Sequence, residues 1–157
     1  RRLVRKLEQR EIAGVCLEDK RFPKTNSFLG NQAKCLVSAE EFCGKLKAAK
    51  DTQRNGDFVV VARTEAFIAG RGLGEALGRA FAYAEAGADA VFVHSRDRSA
   101  GEIFSFMGRW DARRPVVISP TACPGASVDD FERAGVSVVI WANQMLRASI
   151  AAMEKIA

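Results

Sequence analysis

The chain has 157 residues, 48% hydrophobic and 27% charged, enough to build one core of ordinary domain size, and it holds no run of 18 apolar residues that would cross a membrane. Its net charge of +5 and pI near 9.3 raise the question of a nucleic-acid partner. The basic residues, however, are interleaved with acids and cluster only over Arg1 to Arg10, so a small anionic ligand is expected and nucleic acid is not.

In chain order, Arg1 to Arg10 carries Leu3, Val4 and Leu7 at helical spacing with no cap residue before it, so the chain is expected to open inside a helix. The first residues lack the apolar segment and cleavage site of a signal peptide, and a cytoplasmic location is expected. A strand follows over 13–18, ending in Glu18-Asp19-Lys20, with Cys16 read as core packing. Then come a helix at 38–50, a strand at 58–63 leading into Arg63-Thr64-Glu65, and a helix at 72–86. The next strand, 89–94, ends in His94-Ser95 and precedes a helix at 100–110. A strand at 115–120 runs into Ser119-Pro120-Thr121, and the helix at 127–134 has Asp129 and Asp130 in its first turn, where the macrodipole favours acids. The last strand, 136–142, leads into Asn143-Gln144 and a final helix.

One unit recurs: Ala13-Gly14, Ala86-Gly87 and Ala134-Gly135 each follow an amphipathic stretch and precede a short run rich in β-branched residues. Each glycine is expected at a helix C-cap with positive φ, and each run as a strand buried on both faces. The alternation implies a parallel α/β sheet, either doubly wound or a (β/α)8 barrel. No G-x-G-x-x-G follows a strand, and Gly70-Arg71-Gly72-Leu73-Gly74 has the wrong spacing for that fingerprint. The cysteines, Cys16, Cys35, Cys43 and Cys123, form no C-x-x-C pair and His94 is the sole histidine, so free thiols are expected rather than a zinc site.

Ligands of parallel α/β folds sit at the C-terminal ends of the strands, where Glu18, Arg63 and His94 would converge on one mouth. Taken singly, each is as well explained by a salt bridge at the rim.

The stretch Glu18-Asp19-Lys20-Arg21-Phe22-Pro23-Lys24-Thr25-Asn26-Ser27 resembles the gating loop of phosphoenolpyruvate mutases in the isocitrate lyase superfamily. Val61 to Gly70, Phe92-Val93-His94-Ser95 and Val139 to Asn143 resemble that family's later site strands in the same order. Isocitrate and methylisocitrate lyases carry a cysteine-glycine-histidine segment where this chain has Thr25-Asn26-Ser27, which argues against a lyase with a catalytic cysteine.

The resemblance implies the C-terminal part of a (β/α)8 barrel, strands four to eight of the family fold, with the first three strands absent. It implies a homo-oligomer that exchanges its last helix between subunits, and Mg2+-dependent interconversion of phosphoenolpyruvate and phosphonopyruvate. On this resemblance Arg63 holds carboxylate and phosphoryl oxygens, His94 hydrogen-bonds the phosphoryl group in flight, Asn26 and Ser27 contact it when the loop closes, and Lys24 adds positive charge. Glu18 would orient a water on Mg2+, whose direct ligands the family carries on earlier strands. Two alternatives stay open: a phosphonopyruvate hydrolase, from which Asn26 leans away, and a non-catalytic barrel fragment that acts by association.

Overall fold

The structure, a computed structural model, describes residues 1–28 and 35–157. Helix α1 (Arg2–Glu8) is followed by β1 (Gly14–Glu18), α2 (Ala39–Lys50), β2 (Val59–Thr64), α3 (Gly72–Glu85) and β3 (Ala90–Val93). The chain continues through α4 (Gly101–Met107), β4 (Val116–Ile118), α5 (Val128–Arg133), β5 (Val138–Val139) and α6 (Gln144–Glu154). Local chemistry sets these limits. Ser38 caps α2 through its side chain, and Ser127 forms a reciprocal capping box with Asp130 at the start of α5.

All five strands are parallel and lie in the order β1-β2-β3-β4-β5, each paired with its sequence neighbour. Side chains alternate between the faces of this sheet. On one face Val60, Ala62, Val91, Val93, Val116 and Ile118 pack against helical residues such as Leu46, Ala80, Tyr83, Ile103, Phe106 and Phe131. On the other, Ala90, Phe92 and Val117 form a small separate cluster with Val61. A doubly wound sheet would carry helices on both faces. Strands in sequential order with helices packed on one face are instead successive βα units of a (β/α)8 barrel, with the second face turned to the barrel interior.

This one-sidedness corrects two expectations. Only β3 and β4 are buried along their whole length, whereas β1, β2 and β5 each keep partly exposed residues. Cys16 is exposed rather than core, because it shares the inward register with Val61 and Ala90, away from the helices.

The repeated glycines also divide. Gly87 and Gly135 have φ of 100° and 87°, as helix exits require. Gly14 has no such φ; the positive value after α1 belongs to Glu11, at 56°. Gly14 opens β1 where a Cβ would collide with the Val59 carbonyl oxygen, so close strand approach, not a cap, requires glycine there.

Candidate active site

The C-terminal ends of β1, β2 and β3 deliver Glu18, Arg63 and His94 to one rim, since Glu18 is in register with Arg63, and Arg63 with Phe92 two residues before His94. There the chain builds a buried network around a carboxylate that was not singled out from the sequence, Glu65. Fully enclosed, Glu65 accepts from Arg63 Nε at 2.7 Å and lies 2.6 Å from His94 Nδ1, both through Oε1. Its Oε2 accepts from the Ser27 hydroxyl and faces Lys20 Nζ at 3.4 Å. Lys20, also buried, donates to Ser27 Oγ at 2.8 Å and to the Thr25 carbonyl at 2.9 Å, pinning the loop after β1.

Burial alone would push the Glu65 carboxyl up; the hydrogen bond and charge of His94, the Arg63 guanidinium and the Ser27 hydroxyl outweigh it and hold the group at about 2. A second buried set lies behind it. Asp19 accepts from Tyr83 OH at 2.7 Å, Arg79 Nη1 at 3.1 Å and the Glu65 amide at 2.9 Å. Burial raises the Asp19 carboxyl despite these donors, while burial together with the Asp19 charge raises the Tyr83 phenol. Asp19 thus fixes the backbone at Glu65, and Arg79 is steadied by Glu75 one helical turn earlier.

A cavity of about 420 Å³ opens on this network, lined in part by Asn26, Ser27, Arg63, His94, Ser119 and Asn143. No carboxylate lines it among the described residues. The Arg63 guanidinium carbon lies over the Phe92 ring, 4.9 Å from its centroid, a cation–π contact that holds the fork against the wall. Asn143 Oδ1 is buried with no hydrogen-bond partner among the described residues. An adjoining cleft of about 680 Å³ shares Asn26 and Asn143 and adds Arg96, Arg98 and Arg147. A concave surface lined by donors and guanidinium groups suits a small polyanion.

Of the residues marked out in the sequence, Arg63, His94, Asn26 and Ser27 therefore meet around one cavity. Asn26 Oδ1 also accepts from the Phe28 amide at 2.8 Å, which shapes the loop, and Phe28 meets the His94 ring edge-on at 5.6 Å. Lys24 and Glu18 do not line the cavity; they pair with each other at 3.0 Å beside it.

For a divalent metal the carboxylates present do not fit on their own. Glu18 is closed on Lys24, Glu65 is ringed by four donors, and among the described residues no three His, Cys, Asp or Glu side chains are grouped to hold an ion. A hard dication needs more oxygen ligands than that.

Known proteins resemble this chain along nearly its whole length. The phosphoenolpyruvate phosphomutase of Tetrahymena pyriformis is 56% identical over 155 residues, covering 99% of this chain and 52% of that protein. The crystal structure of phosphoenolpyruvate phosphomutase from Streptomyces platensis subsp. rosaceus superimposes with a TM-score of 0.91 at 47% identity, over 98% of this chain and 53% of that one. A phosphonopyruvate hydrolase solved with oxalate and Mg2+ matches with a TM-score of 0.85 at 39% identity, over 98% of this chain and 52% of that one. The chain spans about half the length of the curated relatives it matches. The family profile described as phosphoenolpyruvate phosphomutase runs along all of residues 1–157, and the chain belongs to that family, within the isocitrate lyase superfamily.

Proposed function

We propose that the whole protein interconverts phosphoenolpyruvate and phosphonopyruvate, and that this chain supplies the part of the site that handles the phosphoryl group. The observation that carries this reading is the donor-lined cavity of Arg63, His94, Asn26 and Ser27 at the C-terminal strand ends, free of carboxylates among the described residues. Relatives with the mutase name are more similar in sequence than the hydrolase, at 56% and 53% against 42% identity.

In the reaction the bond between phosphorus and the enol oxygen breaks, leaving the enolate of pyruvate, and a bond between phosphorus and the methylene carbon forms. Such a transfer asks the protein for positioning and charge stabilisation rather than a covalent partner. Arg63, with two nitrogens engaged by Glu65, keeps the rest of its fork for the oxygens of the migrating group. His94 meets the same group from β3, and Asn26 and Ser27 contact it from the loop. The loop covers the cavity and excludes water, whose attack would release phosphate instead. Lys24, paired with Glu18 in this structure, would add positive charge at the rim on leaving that pair.

Mg2+ belongs to this proposal for the whole protein, supported by the relative solved with that ion. Glu18, once released from Lys24, would face it through a water. The five strands are proposed as the fourth to eighth of the barrel. A homo-oligomer is proposed from α6, none of whose residues is buried although it displays Met145, Leu146, Ile150 and Met153. No helix among the described residues is long and apolar enough to cross a membrane, and a cytoplasmic location is proposed.

The test is phosphorus NMR of the whole protein with phosphonopyruvate and Mg2+. The phosphoenolpyruvate resonance is expected to appear; inorganic phosphate released without it would identify a hydrolase and overturn the mutase reading.

A further inference from the structure

We propose that Glu65 is a positioning residue that fixes the tautomer of His94, aligns Arg63 and ties both to the loop after β1. This rests on the assignment of the cavity to the phosphoryl group and adds how its two main side chains are held.

A ring nitrogen has a single in-plane position for a hydrogen bond. His94 Nδ1 lies 2.6 Å from Glu65 Oε1 and 2.7 Å from Arg63 Nη2, and only one of these contacts can be its hydrogen bond. An unprotonated Nδ1 would turn its lone pair on a carboxylate oxygen at 2.6 Å. A protonated Nδ1 makes a charge-assisted hydrogen bond there, while Arg63 Nη2 is held by its ion pair with Glu65 Oε1 at 2.7 Å rather than by the ring. The network therefore assigns the proton to Nδ1. Nε2 has no hydrogen-bond partner among the described residues, and the His94 side chain lines the cavity. A fully ionised phosphoryl group has only acceptor oxygens, so the ring meets it as the doubly protonated cation, one N–H on Glu65 and the other on the ligand.

The two oxygens of Glu65 divide the work. Oε1 holds Arg63 and His94, and Oε2 holds Ser27 with Lys20 alongside. Lys20 also grips the Thr25 carbonyl. One carboxylate thus references the loop, the guanidinium and the imidazole to a single point. That point is itself anchored, because the Glu65 amide donates to buried Asp19.

The experiment uses nitrogen NMR of the whole protein labelled in its histidine rings, with His94 assigned by its loss in His94→Gln. In the wild type Nδ1 is expected to be protonated, and with phosphonopyruvate bound both nitrogens are. In Glu65→Gln the neutral amide no longer selects that form, so the His94 nitrogen shifts move toward a mixture of tautomers. Turnover falls by about 10- to 100-fold, in the range for loss of a group that orients a functional histidine, with KM changed less than about threefold.

Glu65→Gln leaves Lys20 buried beside a neutral side chain, so Lys20→Met/Glu65→Gln, which removes both charges, is measured beside it. The same shift change is expected in that folded double variant. Unchanged His94 nitrogen shifts in either folded variant would overturn the proposal. The spectrum needs no turnover, so absence of mutase activity in the wild type would refute the function above while leaving this reading to stand or fall on the shifts.

Discussion

The Glu65 carboxyl provides a quantitative test of the buried network. Its pKa is lowered from an ordinary 4.5 to about 2 in a side chain that is wholly enclosed. A difference of that size, at about 1.4 kcal/mol per unit, corresponds to about 3 kcal/mol of folding stability. Because the folded value is depressed, this contribution is complete above the unfolded pKa and is lost as pH falls from 4.5 through about 2. Asp19 acts in the opposite sense: its carboxyl is raised from 3.8, so its contribution is present below that value and is lost as pH rises through the folded pKa. Asp19 is present in both the wild type and Glu65→Gln, so its contribution cancels in the comparison of the two. Urea midpoints of both proteins, taken between about pH 2 and pH 7, give the difference directly. The gap is expected to be widest above about pH 5 and to close toward pH 2. A gap of the same size at every pH would mean that Glu65 acts through shape alone, and would refute the electrostatic reasoning.

Further outcomes follow from single side chains. Arg63→Lys keeps the charge but loses the planar fork shared between Glu65 and the cavity, and mutase turnover should fall by about 100-fold in the phosphorus assay. Gly14→Ala drives a methyl group onto the Val59 carbonyl oxygen and should cost about 1–3 kcal/mol in thermal or urea unfolding, without any change at the cavity. Ser127→Ala removes the side-chain acceptor of the Asp130 amide while leaving the residue-127 amide on the Asp130 carboxylate, and should cost about 1 kcal/mol, a smaller loss than at Gly14.

The path of the chain was legible because it depends on local signals. Periodicity located all five strands and the helices between them, and Gly87 and Gly135 marked two helix exits. The same rule failed at Gly14, where an identical Ala-Gly pair answers a contact with Val59, far away in sequence. Cys16 misled for a related reason: an apolar run shows that a strand is buried, but not which face the helices take.

At the site, Arg63 and His94 stand out as polar residues at strand ends, and Asn26 and Ser27 through the resemblance of their loop. Glu65 stands in the same strand-end run, but its role was not legible, since it comes from residues 20, 27, 63 and 94 meeting in space. One signal did exist. Arg63 and Glu65 are two residues apart at a strand exit and can face the same side. Arg79 and Tyr83, a helical turn apart, carried a weaker hint of a polar partner beneath α3, which proved to be Asp19.

Whether the cavity over Glu65 takes the phosphoryl group is decided by a crystal structure of the whole protein with phosphonopyruvate bound. Phosphonate oxygens are expected within hydrogen-bond distance of Arg63 and His94 Nε2, with Asn26 and Ser27 closing from the loop. A phosphonate group bound elsewhere, with Arg63 and His94 turned to Glu65 alone, would contradict it.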